Sequence, residues 1–219
     1  MAYYNHNQFY RLCIVDLDNT LIRTNTTSEL FHIVMNSILS NSLFNSILIL
    51  PFSFLTHLIM QILSIVLNKI TYIDPLKLIL VKLMKYRDLN VHHDFKTLFL
   101  TKIYLKLNWK VLRLLVYLKK RFACTTILLS GSLDTTCNIV INGMKLSHII
   151  DAYICSRFSD GSLIEVSKLK RLIVEKLRHR CKVMICISDQ SDLSKLADLT
   201  DIYILVRFGK LSIVRNYRH

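Results

Sequence analysis

The sequence predicts an α/β protein in which a parallel sheet is interrupted by a long, mostly helical insertion. From about residue 123 onward, short apolar runs alternate with amphipathic stretches, which is typical of βαβ units. A similar apolar strand, residues 12–16, stands near the start of the chain. Because this opening strand should join the same sheet, the residues between it and the βαβ region form an insertion.

The predicted elements follow one another regularly in the second half of the chain. They are strands at 124–129, 151–155, 182–187 and 202–206, alternating with helices at 133–142, 167–178 and 192–198. We therefore expect a core of residues 1–23 and 121–219 and an inserted helical part of residues 24–120. A chain of 219 residues is long enough for a core and a smaller inserted unit.

Composition and charge limit the functional classes. Lysine and arginine outnumber aspartate and glutamate by 29 to 15, giving a formal charge of +14 that favours phosphorylated substrates, nucleic acid or an acidic membrane surface. The start of the chain lacks a charged region followed by an apolar one, so no cleaved secretory signal is expected. The cysteines contain no C-x-x-C pair, which argues against a zinc site and favours reduced, buried thiols in a cytosolic protein. They are Cys13, Cys124, Cys137, Cys155, Cys181 and Cys186.

Two aspartates stand at the end of the opening strand, in the stretch LCIVDLDNTLIR. Asp16 and Asp18 are two residues apart, so in extended chain they lie on one side, roughly 6 to 7 Å apart. That spacing suits a divalent cation or a phosphate held between two acidic groups. A simple turn is the alternative, because Asp, Asn and Thr also favour turns.

Polar side chains also follow the later strands. Because functional residues of open parallel sheets lie at the carboxyl ends of the strands, these side chains should converge on one edge. Carboxylates, a hydroxyl beside backbone amides, and an ammonium group together describe a phosphate site with a magnesium ion. The residues concerned are Ser130, Gly131 and Ser132 in LLSGS, Lys168 and Lys170 at the helix near 167, and Asp189 and Asp192 in SDQSDL.

The four stretches DLDNT, LLSGS, a lysine and SDQSDL, in this order, resemble the four motifs of the haloacid dehalogenase superfamily. The resemblance implies a Rossmann-like core and a magnesium-dependent phosphatase. The insertion resembles the helical cap that one subclass, including phosphoserine phosphatases, carries between motifs one and two. The blocks SRFSDGSLIEVSKLKRL and ISDQSDLSKLADLTDIYILV are also similar to the phosphatase-like domain found beside UbiA-type prenyltransferases.

The resemblance implies a role for each motif residue. Asp16 would be the nucleophile that becomes phosphorylated, and Asp18 would protonate the leaving group and then activate water. The implied phosphate-binding residues are Thr20, Ser130, Gly131 and Lys168. The implied magnesium ligands are Asp16, Asp18 through its backbone carbonyl, Asp189 and Asp192.

The chain departs from the family pattern in the first and fourth motifs. Asn19 replaces the commoner glycine, which is tolerable because asparagine adopts left-handed conformations. The acids of the fourth motif are three residues apart instead of four, and a gapless match puts Ser188 in the ligand position. Either Asp189 turns in to bind the metal, or the site is weakened.

The lysine of the third motif is ambiguous. Lys168 is preferred because it opens the predicted helix, and Lys170, two residues on, could not share its helix face.

The insertion contains 39 residues, Leu30 to Asn68, without Lys, Arg, Asp or Glu. Each half approaches the roughly 20 residues that span a bilayer. The first motif precedes this segment and the others follow it, so any crossings must be even in number. A shallow hairpin turning near Pro51 fits better than two full spans, and a water-soluble cap is the alternative. The expected location is the cytoplasm, with peripheral or re-entrant membrane contact.

A basic series follows the apolar segment. Lys102, Lys106, Lys110 and Arg113 recur at intervals of four, four and three, which predicts one helical stripe. A solvated face is the simplest interpretation, and a surface for anionic lipid or a protein is the alternative. Nucleic-acid binding is disfavoured because aliphatic residues interleave the basic ones and no recognised module occurs.

The sequence therefore predicts a magnesium-dependent phosphomonoester hydrolase acting through an aspartyl phosphate. Its substrate would be a small phosphorylated metabolite or a lipid-linked phosphate. The alternative is a catalytically weak relative that binds a phosphorylated ligand or a membrane protein partner. The sequence predicts no oligomeric state.

Overall fold

A mostly parallel sheet forms the centre of the protein. The computed structural model describes residues 9–40, 77, 80–81, 93–159 and 162–215. Within these residues the sheet has seven strands in the order β4-β3-β2-β1-β5-β6-β7. The strands are β1 (Phe9–Val15), β2 (Thr125–Leu133), β3 (Ala152–Ser159), β4 (Ser162–Ile164), β5 (Cys181–Asp189), β6 (Ile202–Arg207) and β7 (Lys210–Arg215). Only the pairs at the two edges, β3 with β4 and β6 with β7, are antiparallel.

Six α-helices are described. They are α1 (Thr26–Ser40), α2 (His93–Leu105), α3 (Trp109–Phe122), α4 (Asp134–Gly143), α5 (Val166–Arg178) and α6 (Gln190–Leu196). Short 3₁₀ turns at Leu146–His148 and Ala197–Leu199 follow α4 and α6. Every strand and helix predicted in the second half of the chain is present, which confirms the α/β fold and its parallel core.

The sheet is covered on both faces, as parallel sheets usually are. Its strands alternate accordingly: β1 gives Leu12 and Ile14 to one face and Cys13 and Val15 to the other. The first face packs against α5 and α6, and the second packs against the helices α1 to α4. Burial of both faces explains why the core strands are nearly continuous apolar runs.

The predicted basic stripe is wrong in one respect, because its residues lie on two helices and on the linker between them, which contains Lys106. Helix α2 ends at Leu105 and α3 begins at Trp109. The linker between them is held against the loop that follows β1: the Arg23 amide donates to the Lys106 carbonyl, and the Asn108 amide donates to the Leu21 carbonyl, both at 2.8 Å. These bonds replace those that would continue the helix.

Most of the apolar segment 30–68, including the predicted hairpin near Pro51, lies outside the described residues. None of the helices that the structure does describe combines the length and the apolar character needed to cross a membrane. The boundaries of the core and the insertion remain a prediction.

The expectation that all cysteines are reduced thiols is wrong for one pair. Cys137 on α4 and Cys155 on β3 form a disulfide. They are 18 residues apart in sequence, but the crossover from β2 through α4 to β3 stacks the helix on that strand. The free cysteines are Cys13, Cys124, Cys181 and Cys186.

Candidate active site

The first motif forms a tight turn at the carboxyl end of β1. The Asp16 amide donates to the Ile187 carbonyl of β5 at 3.0 Å, and the Ile22 amide donates to the Leu17 carbonyl at 2.8 Å. Asn19 has a φ of 56°, the left-handed conformation that was expected to be tolerated there. This turn places Asp16 and Asp18 in one cavity.

That cavity has a volume of about 240 Å³ and lies at the carboxyl ends of β1, β2 and β5. Most of its lining is polar. The lining residues are Asp16, Asp18, Asn19, Asn25, Thr27, Lys77, Ser130, Gly131, Ser167, Lys170, Asp189, Ser191, Asp192 and Lys195. The convergence of the strand ends that the sequence predicted is therefore present.

The structure corrects the assignment of the third-motif lysine from Lys168 to Lys170. Lys170 is buried, and its Nζ lies 3.0 Å from Asp16 Oδ1 and 2.5 Å from Asp192 Oδ2. Lys168, which was preferred, is 42% exposed at its side chain and pairs with Glu165 at 2.9 Å. Helix α5 begins at Val166, so Val166, Lys170 and Val174 form its buried stripe. The position of Lys170 in that apolar stripe is the sequence signal that could have identified it as the inward-facing lysine.

Burial and charge act in opposite directions on this pair. Burial, reinforced by the charges of Asp192 and Asp18 and opposed by Lys170, raises the pKa of Asp16 to about 7. Burial disfavours the charged form of Lys170, but Asp16 and Asp192 outweigh it and raise the pKa of the lysine. The lysine is therefore a permanent cation beside an unusually weak acid.

Asp18 is held by three donors. Its Oδ1 accepts from the amide and the hydroxyl of Thr26, at 2.8 and 2.7 Å, and its Oδ2 accepts from Ser132 Oγ at 2.5 Å. Thr26 is the first residue of α1, and Ser132 lies at the end of β2. The orientation of Asp18 therefore depends on the start of the insertion as well as on the core.

The second motif lines the cavity as expected, whereas Thr20 does not. Ser130 and Gly131 lie at the end of β2, where Ser130 Oγ accepts from the Ser132 amide at 3.1 Å. A Cβ on Gly131 would lie 3.0 Å from Ser167 Cβ, so glycine allows the strand to approach the start of α5. Thr20 is fully buried away from the cavity lining, and its carbonyl accepts from Asn108 Nδ2 at 3.1 Å. The placement does not support the phosphate-binding role expected of Thr20.

In the fourth motif, Asp189 lies close to the other acids despite the irregular spacing. Carboxylate oxygens of Asp16, Asp189 and Asp192 all lie within 4.8 Å of one another. Ser188 donates its hydroxyl to Asp192 Oδ2 at 2.8 Å and is itself buried, so it holds a carboxylate. Asp189 caps α6 by accepting from the Ser191 amide at 3.0 Å.

The three carboxylates form a donor set that fits magnesium. Magnesium binds hard oxygen ligands such as carboxylates, and it needs several of them close together. The side chain of Asp18 is not part of this group, because it is engaged by Thr26 and Ser132. Asp16, Asp189 and Asp192 are therefore the side chains that could hold the ion, and the ligand role expected of the Asp18 backbone carbonyl stays a prediction.

Two buried cavity residues from the insertion were not predicted. Lys77 lines the cavity and is 8% exposed. Thr27 is 2% exposed, lines the same cavity, and its Oγ1 has no hydrogen-bond partner among the described residues. Neither belongs to a motif, so only the three-dimensional placement could identify them.

Known structures supply an independent comparison. No family model matches the chain, and no curated protein matches it. A protein of unknown function from Bordetella pertussis Tohama I is 8% identical, with a TM-score of 0.59 over 81% of each chain. The apo form of a phosphoserine phosphatase is 13% identical, with a TM-score of 0.50 over 90% of this chain and 86% of that chain.

The chain has the haloacid dehalogenase fold. The expected resemblance is thus confirmed for the core fold. At these identities the likeness concerns the fold alone, so the argument about activity depends on the residues in the cavity.

Proposed function

We propose that this protein is a magnesium-dependent phosphomonoester hydrolase that forms an aspartyl phosphate on Asp16. The observation that supports the proposal is the group around this residue. A buried carboxylate lies beside a buried lysine and two further acids, in a cavity that Ser130 and Gly131 also line. A site of this kind combines a nucleophile, a cation and hydrogen-bond donors, which are the components that phosphoryl transfer needs.

In the first half-reaction, a carboxylate oxygen of Asp16 attacks phosphorus and the ester P–O bond breaks. Asp18 gives its proton to the leaving oxygen, so the alcohol departs neutral. Lys170 offsets the negative charge between Asp16 and the phosphoryl oxygens, and Ser130 and the Gly131 amide bind those oxygens.

In the second half-reaction, Asp18 takes a proton from water as the water oxygen attacks phosphorus. The bond between phosphorus and Asp16 breaks, and inorganic phosphate leaves. Asp16 is again a carboxylate and Asp18 again carries a proton, so the cycle closes. When bound by Asp16, Asp189 and Asp192, a magnesium ion would supply further positive charge for the phosphoryl oxygens.

The substrate we propose is a small, polar phosphomonoester. The cavity of about 240 Å³ is smaller than sites for drug-sized ligands, which run from about 300 to 1,000 Å³. Beyond the phosphate-binding groups its lining includes Lys77, Thr27 and Asn25, which favour polar substituents over an acyl chain. Of the two substrate classes expected, the cavity thus favours a small phosphorylated metabolite over a lipid-linked phosphate.

A second candidate function is favoured by one observation. Lys170 already neutralises Asp16 and Asp192, so it competes with a cation for the same carboxylates. A protein with that arrangement could bind a phosphorylated ligand without turning it over. The two functions differ in their need for magnesium.

The deciding experiment is hydrolysis of p-nitrophenyl phosphate with and without magnesium. We expect magnesium-dependent turnover that Asp16→Asn reduces by about 10³-fold or more. Asp198→Asn, at an exposed acid that pairs with Arg171, is the matched control and should retain activity. Turnover that survives Asp16→Asn would overturn the proposal. Phosphate binding by a folded protein that lacks turnover would favour the second function.

A further inference from the structure

A second cavity, independent of the proposed catalysis, lies between α2, the start of α3 and the end of α4. Its volume is about 530 Å³, within the range of small-molecule sites. Among the described residues, none lines both this cavity and that of Asp16. The lining residues are Leu100, Thr101, Tyr104, Leu107, Trp109, Leu112, Gly143, Met144, Lys145, Leu146, His148 and Ile149.

Large apolar side chains remain accessible at this cavity. Tyr104 and Trp109 pack edge to face with ring centroids 5.6 Å apart, yet they are 55% and 43% exposed. At Gly143 a Cβ would lie only 2.4 Å from a Leu100 methyl group, so glycine allows α4 to pack closely against α2 on one side. Aromatic faces left accessible beside a cavity of this size can bury an apolar ligand.

Two basic side chains, Lys145 and His148, line the cavity, and no carboxylate of the described residues does. Lys145 stands at a backbone φ of 54°, just before the 3₁₀ turn that contains His148. Basic groups on an otherwise apolar wall favour a ligand that has an acidic head and an apolar body.

We propose that this cavity binds one molecule of a free anionic amphiphile per chain, such as a medium-chain carboxylate. The apolar body would lie against Leu107, Trp109 and Leu112, and the head would meet Lys145 and His148. The proposal does not depend on phosphatase activity, and the two can fail separately.

The protein carries its own probe of this site. Trp109 is the single tryptophan of the chain and lines this cavity, so a change in its fluorescence reports on binding here. We would titrate the full chain at pH 7 with decanoate below its micelle concentration, and with decanol and decyltrimethylammonium as neutral and cationic counterparts. We expect a saturable change with decanoate at a stoichiometry of one, and binding that weakens from decanoate to decanol to the cation.

A charge placed in the wall tests the head-group contact. Thr101 lines the cavity on the exposed side of α2, and Thr97 lies one turn earlier without lining it. Thr101→Glu should weaken decanoate binding about tenfold and leave decanol nearly unchanged, as expected for about 1.4 kcal/mol of repulsion. Thr97→Glu, the matched control on the same helix, should change neither by more than about twofold. Circular dichroism would establish that both variants are folded.

Three results would overturn the proposal. The first is the absence of any saturable change in Trp109 fluorescence. The second is equal affinity for decanoate and decanol together with no effect of Thr101→Glu. The third is a signal that appears only with anionic phospholipid vesicles, which would identify a membrane-facing surface instead of a site for a single molecule.

Discussion

Two pairs of acids lie at the carboxyl ends of the neighbouring strands β1 and β5, and they are restrained in different ways. In the first pair, Asp18 accepts hydrogen bonds from Thr26, at the start of the insertion. In the second pair, Asp192 on α6 accepts from Ser188 near the end of β5 and from Lys170 of the core helix α5. The remaining members, Asp16 and Asp189, complete the three-carboxylate group with Asp192.

The difference separates two tasks that a phosphatase must perform. Asp18, the proposed proton-transfer group, is oriented partly by the insertion, so its function should respond to changes there. Among the described residues, the hydrogen bonds that orient Asp189 and Asp192 of the proposed cation-binding group come from the core. Substitutions near each pair should therefore affect different kinetic and binding parameters.

The largest expected effect follows removal of the lysine that joins the two pairs. Lys170→Met leaves Asp16 and Asp192 buried without their cation, so we expect a loss of about 3 to 5 kcal/mol in the free energy of unfolding. Phosphatase activity should fall below detection. Urea unfolding and hydrolysis of p-nitrophenyl phosphate measure the two effects.

Lys168→Met is the matched control, two residues earlier on the same helix. Because Lys168 is largely exposed and pairs with Glu165, we expect less than about 1 kcal/mol of destabilisation and nearly unchanged turnover. The opposite ranking of the two variants would restore the assignment that the sequence favoured.

The next effect concerns two adjacent threonines of α1. Thr26→Val removes the hydroxyl that donates to Asp18 and preserves shape, so we expect kcat to fall by a factor equivalent to about 1.5 to 3 kcal/mol. Thr27→Val removes a buried hydroxyl without a partner among the described residues. It should leave kcat nearly unchanged and alter KM, because Thr27 lines the cavity. Equal effects of both variants on kcat would contradict an orienting role for Thr26.

A smaller effect is expected in the second pair. Ser188→Ala removes a donor to Asp192, and loss of such a support typically weakens metal binding by about tenfold. Ser191→Ala removes the hydroxyl that donates to Asp189 Oδ1 at 2.5 Å, but the Ser191 amide still donates to the same oxygen at 3.0 Å, so its effect should be within about threefold. Calorimetric titration with magnesium measures both affinities without turnover. A larger loss of magnesium affinity in Ser191→Ala than in Ser188→Ala would assign the main metal contact to Asp189 and its turn.

The central residues of this site could be predicted because they lie at the ends of strands. Asp16 and Ser130 follow apolar runs directly, and parallel strands bring such ends together whatever the connections are. The choice of Lys168 over Lys170 was wrong because it was based on nearness to the start of the helix. The buried stripe through Val166 and Val174 indicates Lys170 instead.

Other features depended on distant contacts or on chemistry that no pattern encodes. Strand β7 was missed although Phe208 and Gly209, at φ of 49° and 71°, form the two-residue turn that precedes it. The Cys137–Cys155 disulfide requires α4 to lie on β3. Lys77 reaches the cavity from a part of the insertion far from any motif.

Glu29 offers the mildest test, because its partners lie outside the core that holds the second acidic pair. It forms an ion pair with Lys106 and accepts from Thr24 Oγ1 at 3.1 Å. Burial raises the pKa of Glu29, but these hydrogen bonds and the lysine charges outweigh burial and lower it from its ordinary value of 4.5.

A lowered pKa in the folded state stabilises the protein above that value, and the contribution is lost as the pH falls through the folded-state pKa. Glu29→Gln should therefore cost less than about 1 kcal/mol in urea unfolding at about pH 6, and the difference from wild type should shrink as the pH falls below 4.5. A cost that persists at low pH would mean that Glu29 acts through packing, and the insertion would then orient Thr26 without help from this charge.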